Sequence, residues 1–151
     1  VAEQIVDVES SAEFVPDQKW LQSALNVPAR ENYKIISGRL ITADKVIHSP
    51  QDKKEFGERF SAEAVEMETS AIAKVATDKN LLFLSVRAIS DSVEQEILDS
   101  SSFLGSDGEI SKLKAGWYVL THPGSIASAL SLRSQTQRAT RTMTEFVFHL
   151  L

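Results

Sequence analysis

Apolar and polar positions along the chain predict strands and helices in turn. Val1–Val8 alternates loosely, as a strand does, and Pro16–Val27 carries apolar residues at helical spacing. Tyr33–Ile47 is rich in β-branched residues and is interrupted by Gly38. This composition predicts one long strand with a bulge or bend, or two short strands. The first third of the chain therefore has an α/β pattern.

The middle of the chain continues that pattern. Ser49 and Pro50 predict the start of a helix that runs through Phe60, and Ala64–Glu66 predicts a brief strand. Glu68–Lys79 predicts a second helix. The apolar residues that share one face of this helix are Ala71, Ile72, Val75 and Ala76. We expect that face to be buried.

A nearly continuous apolar run follows. Leu81–Ile89 predicts a strand that is buried on both faces and parallel to its predecessor. Asp99–Gly108 is small and polar, which predicts a mobile loop, and Ile110–Leu120 and Ile126–Leu151 predict helices. The core stripe of the last helix consists of Leu132, Ala139, Met143, Phe146 and Leu150. We expect a three-layer α/β fold in a single domain over residues 1–151.

Composition narrows the class of partner. The chain has 151 residues, a net charge of −5 and no cysteine. Without a basic stripe it is not expected to bind nucleic acid or an anionic membrane, and no apolar run predicts a membrane span. The cysteine-free sequence excludes disulfides and thiolate metal sites and fits the cytoplasm. The three histidines have no metal-ligand spacing, so we expect no metal site.

Four charged residues lie at two successive strand ends. Glu66 and Glu68 stand where a strand becomes a helix, and Arg87 and Asp91 end the next strand. Open α/β sheets bind ligands at the carboxyl ends of their strands, and adjacent parallel strands would bring all four charges to one crevice. Each residue also has a structural interpretation: a helix terminus favours the two glutamates, and an arginine at a strand end pairs with many carboxylates.

Asp91 has a structural alternative of its own. Ser90 or Asp91 followed by Glu94 is a capping signature for a helix that starts here. From the residues alone, capping and function stay equally open for this acid.

The two motifs that carry these charges resemble a known family. AVEMETSAIAKVA followed by LSVRAISD is similar to the C-terminal half of the nucleoside phosphorylase superfamily. The resemblance is strongest to its 5′-methylthioadenosine/S-adenosylhomocysteine nucleosidase and hopanoid-associated phosphorylase branches, and it covers Ile36–Asp91. It implies the three-layer sandwich of that superfamily and cleavage of the N-glycosidic bond of a purine nucleoside.

The resemblance also implies roles for the ribose site. Glu68 would hold the 2′- and 3′-hydroxyls, with Met67 packed on the sugar and Glu66 close by. Arg87 would lie behind the ribose and the attacking water or phosphate. A carboxylate has two acceptor oxygens for the two donors of a vicinal diol, so the residue type suits the task.

For the base, the resemblance implies that Asp91, oriented by Ser90, donates a proton as the glycosidic bond breaks. General acid catalysis of this kind is typically worth ~10²–10⁴ in rate. Ile47, after Val46, occupies the place where the nucleosidases stack an aromatic residue on the purine. Phe103 is a second candidate for closing over the ligand, although a loop phenylalanine more often anchors a core.

The family's N-terminal half supplies a strand, a glycine-rich turn and the groups for the nucleophile, and these do not appear in this sequence. We therefore expect association with another copy or with a missing N-terminal segment. The family implies no cofactor, with phosphate as co-substrate if the protein is a phosphorylase. Two alternatives remain: a module that binds nucleosides without cleaving them, and a truncated chain without a ligand.

Overall fold

The computed structural model describes residues 1–29, 33–95 and 124–151, and over 124–133 it describes the helix without its side chains. The elements are β1 (Ala2–Asp7), β2 (Glu13–Phe14), α1 (Gln18–Leu25), β3 (Gly38–Thr42), α2 (Pro50–Phe60), β4 (Ala64–Glu66), α3 (Thr69–Asp78) and α4 (Gly124–Leu150). Within these residues, four strands form one mixed sheet in the order β2-β1-β3-β4. β2 is antiparallel to β1, whereas β1, β3 and β4 are parallel.

The centre of the sheet forms the core. Ile5 of β1 and Ile41 of β3 are fully buried, and the parallel register pairs Ile5 with Leu40. The strand predicted over Tyr33–Ile47 is wrong in length, because β3 begins only at Gly38. A register shift lies opposite its start, in β1 between Ala2 and Gln4.

Helix α2 has the predicted limits. The Ser49 side chain accepts a hydrogen bond from the Asp52 amide at 3.0 Å, and Pro50 is the first helical residue. The helix ends where Ser61 adopts a left-handed conformation with φ of 49°. Local capping chemistry therefore sets both ends and delivers the chain to β4.

Helix α3 forms where predicted but buries a different face. Thr69, Ser70, Ala73 and Ala76 are buried, while Ile72 is 64% exposed and Val75 is 57% exposed. Small residues let the helix approach β1 closely, so its threonine, serine and alanine residues face the sheet. The predicted apolar face of α3 is wrong at Ala71, Ile72 and Val75, which are exposed, and is confirmed only at Ala76.

The predicted strand Leu81–Ile89 is also wrong. This segment has no regular strand geometry, and its backbone is tied by single bonds such as Ala2 N to Ser85 O at 3.0 Å. Leu82 is 73% exposed and Ile89 is 61% exposed, so the run is not buried on both faces. An apolar run indicates that a segment tends to be buried. It does not show that a neighbouring strand is available to pair with that segment.

Helix α4 confirms the long C-terminal helix. Phe146 is 5% exposed and packs against Ala24 and Val27 of the α1 region. The other described residues of the predicted stripe, Ala139, Met143 and Leu150, are half-buried. The Leu132 side chain, the predicted loop Asp99–Gly108 with Phe103, and the predicted helix Ile110–Leu120 lie outside the described residues.

Candidate active site

Glu66, the last residue of β4, organises the junction between β4 and α3. Its Oε1 accepts a hydrogen bond from Thr42 Oγ1 at 2.7 Å, and its Oε2 accepts one from the Glu68 amide at 3.0 Å. The Thr69 amide donates to both oxygens at 3.0 Å. Glu66 thus satisfies amides that the helix leaves unpaired at its N-terminus, which confirms the helix-terminus interpretation for this acid.

These contacts keep Glu66 ionised. Its side chain is only 10% exposed, and burial raises the pKa of Glu66. The hydrogen bonds from Thr42, Glu68 and Thr69 outweigh that effect, so the pKa lies below the ordinary value of 4.5. The junction therefore carries a fixed negative charge at neutral pH.

The same junction is tied to β1 and β3. The Ser70 amide donates to Thr42 Oγ1 at 3.0 Å, and Ser70 Oγ donates to Asp7 Oδ2 at 2.5 Å. The Ser70 hydroxyl, together with the Ser10 amide and hydroxyl, lowers the pKa of Asp7. Hydrogen bonds thus hold the first turn of α3 against the carboxyl ends of two neighbouring strands.

Arg87 connects the two glutamates. Its Nη2 donates to Glu66 Oε2 and, at 2.7 Å, to Glu68 Oε2. The Arg87 side chain is 40% exposed and that of Glu68 is 67% exposed. Glu68 does not cap α3 with its side chain, and among the described residues no donor contacts its Oε1. This cluster of Glu66, Glu68 and Arg87, called the ribose cluster after the role that the family resemblance implies, leaves one carboxylate oxygen open to solvent.

Asp91 lies in a second group and pairs with a lysine of α2. Lys53 Nζ donates to Asp91 Oδ2 at 2.6 Å, and Ser90 Oγ donates to Asp91 Oδ1 at 2.9 Å. Neither bond is the backbone bond of a helix cap, and the described residues that follow, through Gln95, form a turn. Both oxygens of the Asp91 carboxyl group thus have a side-chain donor. The helix that this residue was alternatively expected to cap would extend beyond Gln95, outside the described residues.

Both groups border one cavity of about 890 Å³. Its lining includes the predicted site residues Ile47, Glu66, Met67, Arg87, Ser90 and Asp91. Glu68 does not line this cavity, but its carboxylate is bonded to Arg87, which does. Met67 is 44% exposed, Val46 is 43% exposed, and Ile47 is buried. A volume of this order is typical of small-molecule sites. Phe103 lies outside the described residues.

The sequence of this chain matches the family model of the phosphorylase superfamily over residues 6–112. The chain belongs to the phosphorylase superfamily. The match contains both strand-end motifs, so the resemblance that they carry is confirmed.

Curated relatives agree with this membership. The chain is 35% identical over 80 residues to a 5′-methylthioadenosine/S-adenosylhomocysteine nucleosidase of Staphylococcus haemolyticus, covering 52% of this chain and 35% of the relative. It is 31% identical over 93 residues to the nucleosidase of that name from Desulfotalea psychrophila, covering 61% and 39% respectively. The chain thus spans well under half the length of these curated relatives.

A solved structure supports the superfamily fold. The nucleosidase of that name from S. pneumoniae, solved with the transition-state inhibitor MT-ImmA, superposes with a TM-score of 0.58 at 15% identity. The alignment covers 99% of this chain and 60% of that one. The expected α/β fold of the nucleoside phosphorylase type is therefore confirmed.

Sequence reasoning missed two residues that hold candidate site residues in place. Thr42 supports Glu66, and Lys53 supports Asp91. Thr42 stands at the carboxyl end of β3, the sheet edge where ligands bind, so its place in the strand was a usable signal. Lys53 had none, because a lysine in the first turns of a polar helix is ordinarily solvated.

Metal and membrane features can be stated for the described part of the chain. There, no group of three or more histidine, cysteine, aspartate or glutamate side chains is placed to hold a metal ion. No described helix combines the length and apolarity that a membrane span requires.

Proposed function

We propose that the protein cleaves the N-glycosidic bond of a purine nucleoside and that Asp91 protonates the departing base. The observation that carries the proposal is that Glu66, Arg87 and Asp91 line one cavity in a member of the phosphorylase superfamily. Glu68 joins this group through its hydrogen bond with Arg87. The curated relatives are nucleosidases by name.

The ribose cluster suits a sugar diol. Glu68 offers an exposed carboxylate whose Oε2 is held by Arg87 and whose Oε1 lacks a donor among the described residues. The two hydroxyls of the ribose are donors, so Glu68 accepts both once the diol shares or replaces the Arg87 contact. Met67 is exposed beside it and provides an apolar contact for the sugar. Arg87 offsets the charge of both acids.

Asp91 and Ser90 suit the base. Asp91 first takes up a proton from solvent. When the bond between C1′ and the base nitrogen breaks, both bonding electrons stay with the base, and this proton neutralises it, which leaves Asp91 as a carboxylate paired with Lys53. The electron-poor C1′ takes the oxygen of water, whose proton passes to solvent, or an oxygen of phosphate. The negative charges of Glu66 and Glu68 favour this oxocarbenium-like sugar. Ile47 and Val46 line the base side with aliphatic groups in place of an aromatic ring.

Binding without cleavage is a second candidate. It is favoured by the contacts of Asp91, because both of its carboxyl oxygens already accept hydrogen bonds, one from Ser90 and one from Lys53. In that case the ribose cluster would hold nucleosides, and the base would not receive a proton.

The test is base release by the purified protein from a panel of purine nucleosides, headed by 5′-methylthioadenosine and S-adenosylhomocysteine. Each nucleoside is incubated with and without phosphate, and base, free ribose and ribose 1-phosphate are separated by chromatography. Release without phosphate indicates a hydrolase, and phosphate-dependent release indicates a phosphorylase. Calorimetric binding without base release would establish the second candidate. If the protein neither binds nor cleaves any of these nucleosides, both candidate functions are excluded.

Association is also part of the proposal. Ile72, Val75, Leu81 and Leu82 are more than half exposed, and apolar side chains of this size are commonly covered by another surface. Light scattering at micromolar concentration should show a mass above that of one chain. A monomer would contradict it. The cytoplasm remains the expected compartment, on the cysteine-free composition alone.

A further inference from the structure

Lys53 is a buried cation that no part of the proposed chemistry uses. Its side chain is 8% exposed, although it belongs to a helix with no fully buried residue. Its Nζ donates to Asp91 Oδ2 at 2.6 Å, to Gln95 O at 2.7 Å and to Ser92 O at 3.2 Å. An ammonium has three donors, so every one is occupied.

All three acceptors belong to one short segment. The turn Asp91–Gln95 is closed by Gln95 N to Ser92 O at 3.1 Å and by Ser92 N to Gln95 Oε1 at 3.0 Å. Lys53 bridges this turn to α2, whose start is fixed by the Ser49 cap. The lysine therefore joins a rigid helix end to the segment that presents Asp91.

The two contacts on Asp91 fix the plane of its carboxyl group. Ser90 holds Oδ1 and Lys53 holds Oδ2. Because Ser90 is the neighbouring residue, it moves with Asp91 and cannot place it relative to the rest of the cavity. Lys53 contributes that external reference, since it comes from an element 38 residues earlier in the chain.

We propose that Lys53 is the positioning residue of the general acid: it holds the Asp91–Gln95 turn against α2 and aims the Asp91 carboxyl group into the cavity. This proposal rests on the proposed function, in that Asp91 is taken to protonate the base. It predicts that Lys53 affects only the step that Asp91 serves. Small misplacements of a reacting group can cost on the order of 10²-fold in rate.

The experiment compares Lys53→Met with Lys74→Met. Lys74 makes an ion pair of similar length, 2.8 Å, with Asp78, but the two side chains are 66% and 59% exposed and lie in α3. With a purine nucleoside, we expect Lys53→Met to lower kcat on the order of 10–100-fold with little change in KM. With an activated riboside whose leaving group needs no proton, kcat of Lys53→Met should be close to that of the wild type. Lys74→Met should match the wild type on both substrates.

A double variant separates positioning from a general loss of structure. In the Asp91→Asn background, Lys53→Met should cause little further loss of kcat, because the group through which it acts is already gone. Equal losses on both substrates, or losses that multiply in the double variant, would overturn the proposal. Should Lys53→Met fail to fold, Lys53→Gln, which keeps amide donors, is measured against the same criteria.

A measurement without substrate distinguishes failure of this proposal from failure of the proposed function. Backbone amide order parameters of Ser92 and Gln95 are measured by NMR. We expect about 0.85 in the wild type and in Lys74→Met, falling below about 0.6 in Lys53→Met. Unchanged order parameters in Lys53→Met would show that Lys53 does not hold the Asp91–Gln95 turn, whether or not the protein turns over nucleosides. If the wild type shows no turnover but the order parameters still fall in Lys53→Met, then Lys53 does hold the Asp91–Gln95 turn and the proposed function is wrong.

Discussion

The ribose cluster and the Lys53–Asp91 pair differ in how exposed their cations are and in what those cations contact. Arg87 is 40% exposed and is shared between two glutamates. Lys53 is 8% exposed and serves one carboxylate and two backbone carbonyls. The exposed pair can exchange partners with an incoming ligand, whereas breaking the buried pair would leave a charge without a partner. This difference is the reason for proposing that the ribose cluster exchanges contacts with a ligand and that the Lys53–Asp91 pair places the acid.

The largest expected effect comes from removing the transferable proton on the Asp91 side. Asp91→Asn keeps the shape of the side chain, so the protein should fold and bind a purine nucleoside as before. Turnover should fall by about two to four orders of magnitude. A riboside with an activated leaving group should be largely spared, and steady-state kinetics on both substrates check this. Equal retention of both activities would remove Asp91 from the mechanism.

The next effect sharpens the other side of the comparison. Glu68→Gln should weaken binding of purine ribonucleosides on the order of 10–100-fold, the value of a lost hydrogen bond to a charged group. It should weaken binding of 2′-deoxy analogues much less, because these already lack one of the two hydroxyls. Calorimetric titration with both sugars provides the measurement. Equal losses would show that Glu68 does not hold the diol.

A smaller effect concerns the support beneath the ribose cluster. Thr42→Val removes the donor to a nearly buried carboxylate and should lower the free energy of unfolding by about 1–3 kcal/mol. Thr140→Val is the matched control: its hydroxyl donates to Thr136 O on an exposed turn of α4, and its loss should change stability by about 0.5 kcal/mol or less. Urea denaturation of both variants gives the comparison. Similar losses would show that the Thr42 bond has no special weight.

The smallest expected effect is the pH dependence of the stability that Glu66 contributes to the fold. The pKa of Glu66 in the folded protein lies below 4.5, so its ionised form stabilises the fold above that pH. This contribution should be lost as the pH falls through the folded pKa. Glu66→Gln should be less stable than the wild type at neutral pH, and the difference should shrink below pH 4.5. A difference that stays constant with pH would contradict the assignment.

How far the sequence predicts this molecule depends on whether a feature is local. The start of helix α2 was predicted because Ser49 and Pro50 carry their own capping chemistry. The segment Leu81–Ile89 was predicted wrongly because a strand depends on a neighbour, which no local pattern reveals. Within the site, the contact of Arg87 with carboxylates was anticipated by the strand-end motif, whereas Lys53 was not. Its role depends on a partner 38 residues away in the chain.

The most direct test of separate roles for Glu68 in binding and Asp91 in turnover uses one purine ribonucleoside. Its binding and turnover are measured for the wild type, Asp91→Asn and Glu68→Gln. The account predicts that Asp91→Asn keeps the wild-type dissociation constant and loses turnover, while Glu68→Gln loses affinity at least tenfold. If Asp91→Asn lost affinity as strongly as turnover, or if Glu68→Gln bound like the wild type, the two groups would not have the separate roles assigned to them.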